Sequence, residues 1–227
     1  MEQADFWVNI HAHQVLNIQS ITVLNVYTGA EWDLELSRDF FADDIVFYSV
    51  GIHPWNIGKL ENQSQTLNQL AAHPKVIAIG ECGFDINTLS PLSLQETVFR
   101  QHIELSEALH KPLIIHCVRA FNELIRIRKE SRSVQPWIVH GFNANETIAH
   151  QCLQHNMLLS FGKSLLNENS KAAVVARWIP ESEVFLETDD TDLDILLIYK
   201  AYASIKQVSV DKLKIIIADN FCKYFKI

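Results

Sequence analysis

With 227 residues, 48% hydrophobic and 20% charged, the chain has the size and composition of a water-soluble protein with one substantial core. Its formal charge of −8 argues against a broad electrostatic footprint for duplex nucleic acid, although a local metal site can still grip a phosphate. No apolar run reaches the length of a membrane span, and the acidic start Met1-Glu2-Gln3-Ala4-Asp5 lacks the basic flank and apolar core of a signal peptide. A cytoplasmic location is therefore expected. Cys82, Cys117, Cys152 and Cys222 show no Cys-x-x-Cys spacing, which argues against a zinc ribbon. Cys82 and Cys117 each follow a candidate ligand, so alternation turns them to the opposite face as packing residues.

In chain order, residues 6–10 predict a buried strand ending in His11-Ala12-His13. Two histidines at spacing two point to one side of an extended chain and can reach one metal ion; two unrelated polar residues beside a strand would look the same. Residues 20–26 predict the next strand, which leaves only residues 14–19 for a crossover that usually takes about a dozen residues. A helix is predicted over 31–42 and a strand over 45–50, followed by Gly51-Ile52-His53-Pro54-Trp55, where Pro54 holds His53 extended. A short helix over 65–72 leads into the apolar run Val76-Ile77-Ala78-Ile79, expected to stop at Gly80-Glu81-Cys82-Gly83. Glycine on either side of Glu81 would let the backbone turn sharply and approach a ligand closely.

A long amphipathic helix is predicted over 94–110, with Phe99, Ile103 and Leu109 inward and His102 and His110 facing solvent. A strand over 112–115 is capped by His116, with Arg119 on the loop beyond and a helix over 120–130. A short strand over 137–139 ends at His140, a helix covers 146–155, and its His150 and His155 are expected at the surface. A strand over 157–161 precedes Lys163, a solvated loop lysine or a partner for an anion. A helix over 172–178 and a strand over 184–186 follow, the latter delivering Glu187-Thr188-Asp189-Asp190. Helices over 193–205 and 210–225 close the chain.

Eight strand candidates alternating with helices predict a parallel α/β sheet, and eight is the number that closes a TIM-type (β/α)8 barrel. With no repeat or linker, residues 1–227 are expected to form a single domain with a shortened or missing first crossover helix. His11, His13, Glu81, His116, His140 and Asp189 all fall where strands end, the face on which such barrels carry their sites. Four imidazoles and two carboxylates exceed the needs of one tetrahedral ion. They suit two divalent ions bridged by Glu81, with zinc or manganese favoured and magnesium possible. Asp189 would orient or deprotonate the attacking water, and His53 and Arg119 would hold the electrophilic group.

The ordered set His11-x-His13, Gly51-Ile52-His53-Pro54, Gly80-Glu81-x-Gly83-Phe84-Asp85, Ile115-His116-Cys117, His140-Gly141-Phe142 and Glu187-Thr188-Asp189, with the closing Asp219-Asn220-Phe221, resembles the TatD family of metal-dependent deoxyribonucleases. The resemblance implies a TIM-type barrel with a dinuclear metal site and 3′-to-5′ exonuclease or related phosphodiesterase activity. It also implies that His11, His13, Glu81 and Asp189 hold one ion, while Glu81, His116 and His140 hold the other. The chain departs from the family pattern at Asn9, where aspartate is usual, at Gln14-Val15, and at Asp190-Thr191. Nucleic-acid ends or a small phosphodiester are the expected substrates. A metal-dependent hydrolase of a small amide, ester or phosphodiester is the alternative, and a non-catalytic metal-binding barrel is a further reading.

Overall fold

The computed structural model describes residues 6–15, 20–28, 45–58 and 60–227. The acidic start, most of the first link and the helix predicted over 31–42 lie outside them. Strands β1 (Trp7–Ala12), β2 (Ser20–Tyr27), β3 (Val46–Gly51), β4 (Val76–Asp85), β5 (Leu113–Val118), β6 (Trp137–Val139), β7 (Met157–Phe161) and β8 (Val184–Leu186) follow one another and are hydrogen-bonded in that order in one sheet. Among the described residues the α-helices are α1 (Leu60–Ala71), α2 (Leu92–Leu109), α3 (Phe121–Ser131), α4 (Glu146–Gln154), α5 (Lys171–Trp178), α6 (Ile195–Lys206) and α7 (Val210–Phe225). β1 and β2 run parallel, with Trp7 opposite Ser20 and Ala12 opposite Leu24. Residues 13–19 connect them, and of these residues 16–19 lie outside the described ones.

The chain divides into two compact units, residues 1–24 with 138–227, and residues 25–137. In the first, the Tyr199 hydroxyl on α6 accepts from the Val8 N–H (3.2 Å) and donates to the Val8 carbonyl (3.1 Å), pinning that helix to β1. The closing Asp-Asn-Phe motif is structural here. Asn220 donates from α7 to the carbonyls of Glu181 (2.8 Å) and Val184 (2.9 Å) at the start of β8, and Phe221 is fully buried. The segment after β8 returns to β1: the Asp189 N–H donates to the His11 carbonyl (3.0 Å), and the His13 N–H donates to the Asp189 carbonyl (3.1 Å).

Asn9, the departure noted in β1, is a clamp on that same segment. Its amide donates to the Thr188 hydroxyl (2.8 Å) and accepts from the Thr188 N–H (3.1 Å), both buried. Asn9→Ala removes both bonds and leaves a buried N–H without its acceptor, so urea unfolding should show a loss of about 2 kcal/mol.

In the second unit, α2 buries Gln95, Val98, Phe99, His102, Ile103 and Ser106, the three- and four-residue spacing of one helix face. Phe99 meets Phe84 of β4 (5.3 Å between centroids) and Trp137 of β6 (5.2 Å), both edge-to-face, the arrangement aromatic quadrupoles favour. His102 corrects the sequence reading: it is 0% exposed rather than solvent-facing. Its Nε2 accepts from the Ile52 N–H (2.9 Å), and its Nδ1 lies 2.8 Å from the Val98 carbonyl. The helical stripe that buries Val98 and Phe99 carries His102 inward with them, and two backbone groups satisfy its ring.

Burial pushes the His102 pKa down to about 4, against a smaller opposing effect of the Val98 carbonyl. Because the folded chain resists a proton that the unfolded chain accepts, this site's contribution is complete above pH 6.5 and is lost as the pH falls towards 4. The shift is worth roughly 3 kcal/mol. Denaturant titrations at pH 7 and pH 4.5 should differ by most of that amount, and a His102→Gln variant should lose this component of the pH dependence.

β4 also departs from expectation. It does not stop at Gly80 but continues through Glu81 to Asp85, with all ten residues buried. Against β5, Ile79 pairs with Leu113 and Cys82 pairs with Ile115, with a register shift in the interval. β4 therefore spends one residue more than its partner there, a β-bulge, the device that re-aims a side chain within a sheet. The flanking glycines are required by this packing. A Cβ on Gly80 (φ 142°) would lie 2.3 Å from the Ile114 carbonyl oxygen, and one on Gly83 (φ 134°) would lie 2.2 Å from that of His116. β1 shows the same register shift across Ile10 and His11.

Candidate metal centre

Each unit gathers its own cluster of donors. In the first, His11 and His13 each place Nε2 3.5 Å from the Asp189 Oδ1. The His11 ring lies 4.3 Å from that of His140. Asp189 takes a left-handed backbone (φ 54°), a conformation aspartate tolerates better than most residues. Burial alone would raise its pKa, but hydrogen bonds from His11 and His13 and the charges of His140 and His11 outweigh it. The carboxyl is held well below the usual range. The His140 Nδ1 lies 3.4 Å from the buried Glu187 carboxylate. Glu187 accepts from the Gly141 N–H (2.6 Å) and from the Ser160 hydroxyl.

In the second unit, Glu81 is almost fully buried, and the bulge turns its carboxylate among four partners. The His116 Nδ1 lies 2.8 Å and the His53 Nε2 3.3 Å from its Oε1. The Asn25 amide and the Tyr27 hydroxyl each donate to its Oε2 at 3.1 Å. On its other side the His116 Nε2 meets the Asp85 Oδ2 at 3.1 Å. Burial opposes ionisation of Asp85, but the Asn87 N–H and the side chains of His116 and Trp55 prevail and lower its pKa. Cys82 behaves as the packing residue expected: burial first, and the Glu81 charge second, push its thiol pKa well up.

His11, His13 and Asp189 offer ligand atoms lying within 4.8 Å of one another, as do His140, Glu187 and Asp189 in the same unit, and His53, Glu81 and His116 in the other. Two imidazole nitrogens with a carboxylate oxygen, or one with two, are the mixed donors that first-row divalent ions take, so the residues fit a metal. His53, read from sequence as a substrate contact, stands among these donors. Arg119 is exposed just past β5 with φ 56° and pairs with no acid among the described residues. Lys163 meets an anion, the carboxylate of Asp190 (3.1 Å), on the surface.

Sequence reasoning missed Asn25, Tyr27, Asp85, Ser160 and Glu187 as parts of these clusters. An asparagine interrupting the β-branched run of β2 and a carboxylate at the far end of the Glu81 motif were the available signals. Ser160 left none, because a serine inside an apolar strand is ordinary.

The family model described as TatD related DNase matches residues 8–226. An uncharacterised metal-dependent hydrolase of Bacillus subtilis, YabD, is 29% identical over 201 residues, covering 81% of this chain and 79% of that protein. The 3′-5′ ssDNA/RNA exonuclease TatD of Musicola paradisiaca is 29% identical over 152 residues, covering 62% of this chain and 55% of that enzyme. The crystal structure of YjjV, a TatD homologue from Escherichia coli, superposes with a TM-score of 0.82 at 18% identity, covering 97% of this chain and 98% of that one. The fold is thus the TIM-type barrel that the strand–helix alternation predicts. No helix among the described residues is long and apolar enough to cross a membrane.

Proposed function

Because the chain belongs to the TatD family of metal-dependent hydrolases, we propose that it is a phosphodiesterase that trims single-stranded nucleic acid from the 3′ end, with residues 1–227 acting as one catalytic domain. The observation that carries this reading is the pair of nitrogen-and-oxygen donor clusters, His11-His13-Asp189 and His53-Glu81-His116, each assembled within its own unit. Two divalent ions are proposed, manganese or zinc rather than magnesium given the abundance of imidazole. His11, His13 and Asp189 serve one ion, His116 and His140 serve the other, and Glu81 serves both, as the family resemblance implies. Ions so held supply Lewis acidity towards the phosphate and lower the pKa of water.

The remaining work falls to the side chains. Asp189 orients the attacking water or takes its proton as the new P–O bond forms. Glu187 braces His140, and Asp85 braces His116, which is how carboxylates commonly fix the orientation of ligand histidines. Arg119 and His53 hold the phosphate while the P–O3′ bond to the shortened strand breaks; the leaving 3′-oxygen takes a proton from solvent, and the departing nucleotide keeps the phosphate on its 5′-oxygen. A cytoplasmic location belongs to the same proposal.

Chelator-treated protein should leave a 5′-labelled oligothymidylate intact. Reloading with Mn²⁺ or Zn²⁺ should restore stepwise shortening from the 3′ end. Failure with every divalent ion would defeat the phosphodiesterase reading. Turnover of a small amide or ester without oligonucleotide cleavage would replace it with the alternative.

A further inference from the structure

Trp55 is the only aromatic among the exposed large hydrophobic residues described, at 63%. It lies on the short turn Pro54–Asn56 directly after His53. Exposed single side chains are common and need no explanation, but this one is held in place. Its indole N–H donates to the Asp85 Oδ2 at 2.6 Å, the same oxygen that meets the His116 Nε2 at 3.1 Å. Its backbone N–H donates to the His53 Nδ1 at 3.2 Å, and the two rings lie 5.9 Å apart. The Thr88 hydroxyl donates to the Pro54 carbonyl at 3.4 Å, tying the turn to the loop after β4. An indole fixed through its edge yet largely open to water, one carboxylate away from His116, is pre-organised to receive a flat apolar partner.

We infer that Trp55 is the stacking platform for a nucleobase at the end of the strand being cut, an inference that rests on the phosphodiesterase reading. With a net charge of −8, the chain cannot gain much affinity from a field of phosphate contacts, so a base–aromatic contact is the natural source. Every base has a π-face, so such a platform tolerates sequence. It also favours single strands, because a duplex base is already stacked on its neighbours. A ring immobilised beforehand loses little side-chain freedom on binding.

The test uses the manganese-loaded full chain and 5′-labelled oligothymidylates, either intact or abasic at their terminal two 3′ nucleotides. Trp55→Ala should raise KM for the intact strand about tenfold, within the range for one base on an aromatic ring, while any change in kcat from releasing Asp85 should be shared by Trp55→Phe, which loses the same indole bond. Trp55→Phe should recover most of that loss. The abasic end should cost the wild type a similar factor and the alanine variant nothing further. In metal-free protein, thymidine 5′-monophosphate should quench tryptophan emission in the wild type but not in Trp55→Phe. An unchanged KM in the alanine variant, or an abasic penalty equal in both proteins, overturns the platform while leaving the phosphodiesterase reading intact. If the wild type cleaves no oligonucleotide, that reading fails, and the quenching comparison decides: no quenching, or quenching that survives in the phenylalanine variant, overturns the platform as well.

Discussion

Glu81→Ala should lower kcat/KM for an oligonucleotide by at least about 10³-fold, equivalent to about 4 kcal/mol of transition-state stabilisation. The carboxylate lies within 3.3 Å of two imidazoles and accepts from an amide and a phenol, so it is the hub of its cluster as well as a candidate ligand. Removing it leaves the Asn25 amide and the Tyr27 hydroxyl without this acceptor, which by itself destabilises the fold by about 1–3 kcal/mol. Glu81→Gln is therefore the sharper experiment, since it keeps the shape and one carbonyl oxygen while removing the charge. Both variants should show the circular dichroism of the parent and a reduced metal content in the purified protein. A glutamine variant retaining a tenth of wild-type turnover would remove Glu81 from the chemistry.

The second large effect falls on stability. Gly83→Ala should destabilise the chain by about 3 kcal/mol, the range of backbone strain combined with overpacking, which lowers Tm by about 10 °C for a domain of this size. Two costs add. A side chain is forced onto a φ of 134°, and its Cβ would stand 2.2 Å from the His116 carbonyl oxygen, a backbone atom that cannot swing aside. Relief requires β4 and β5 to part where Gly83 pairs with His116. Activity measured well below the new Tm should therefore fall too, because His116 moves with its strand. Thermal unfolding beside steady-state kinetics checks both halves, and a Tm within about 2 °C of the parent, less than 1 kcal/mol on the same scale, would refute the packing argument.

Strand and helix alternation was plain from periodicity alone. β6, β7, β8 and α7 lie where apolar runs and turn residues put them, because a strand buried on both faces reads as a mostly apolar run. The grouping of His11, His13 and Asp189 was legible as well, since residues delivered by parallel strands emerge on one face. The bulge at Gly80-Glu81 was not. Nothing local distinguishes a glycine that turns the chain from one that lets two strands approach, so β4 was expected to end five residues early. His102 was misplaced for a related reason: a histidine between Gln101 and Ile103 reads as polar surface until the backbone groups that satisfy its ring are known.

Residue order by itself determined the sheet type, the succession of elements and the kinds of donor atom, because these depend on local periodicity and side-chain chemistry. Only the tertiary structure decided which atoms of those donors meet, that Asn25 and Tyr27 steady Glu81, that Asp85 lies against both His116 and Trp55, and that Asn9 clamps the segment carrying Asp189. These are contacts over long sequence separations, set by strand register. A shift of one residue in register turns a side chain to the opposite face, and no local pattern in the chain records that choice.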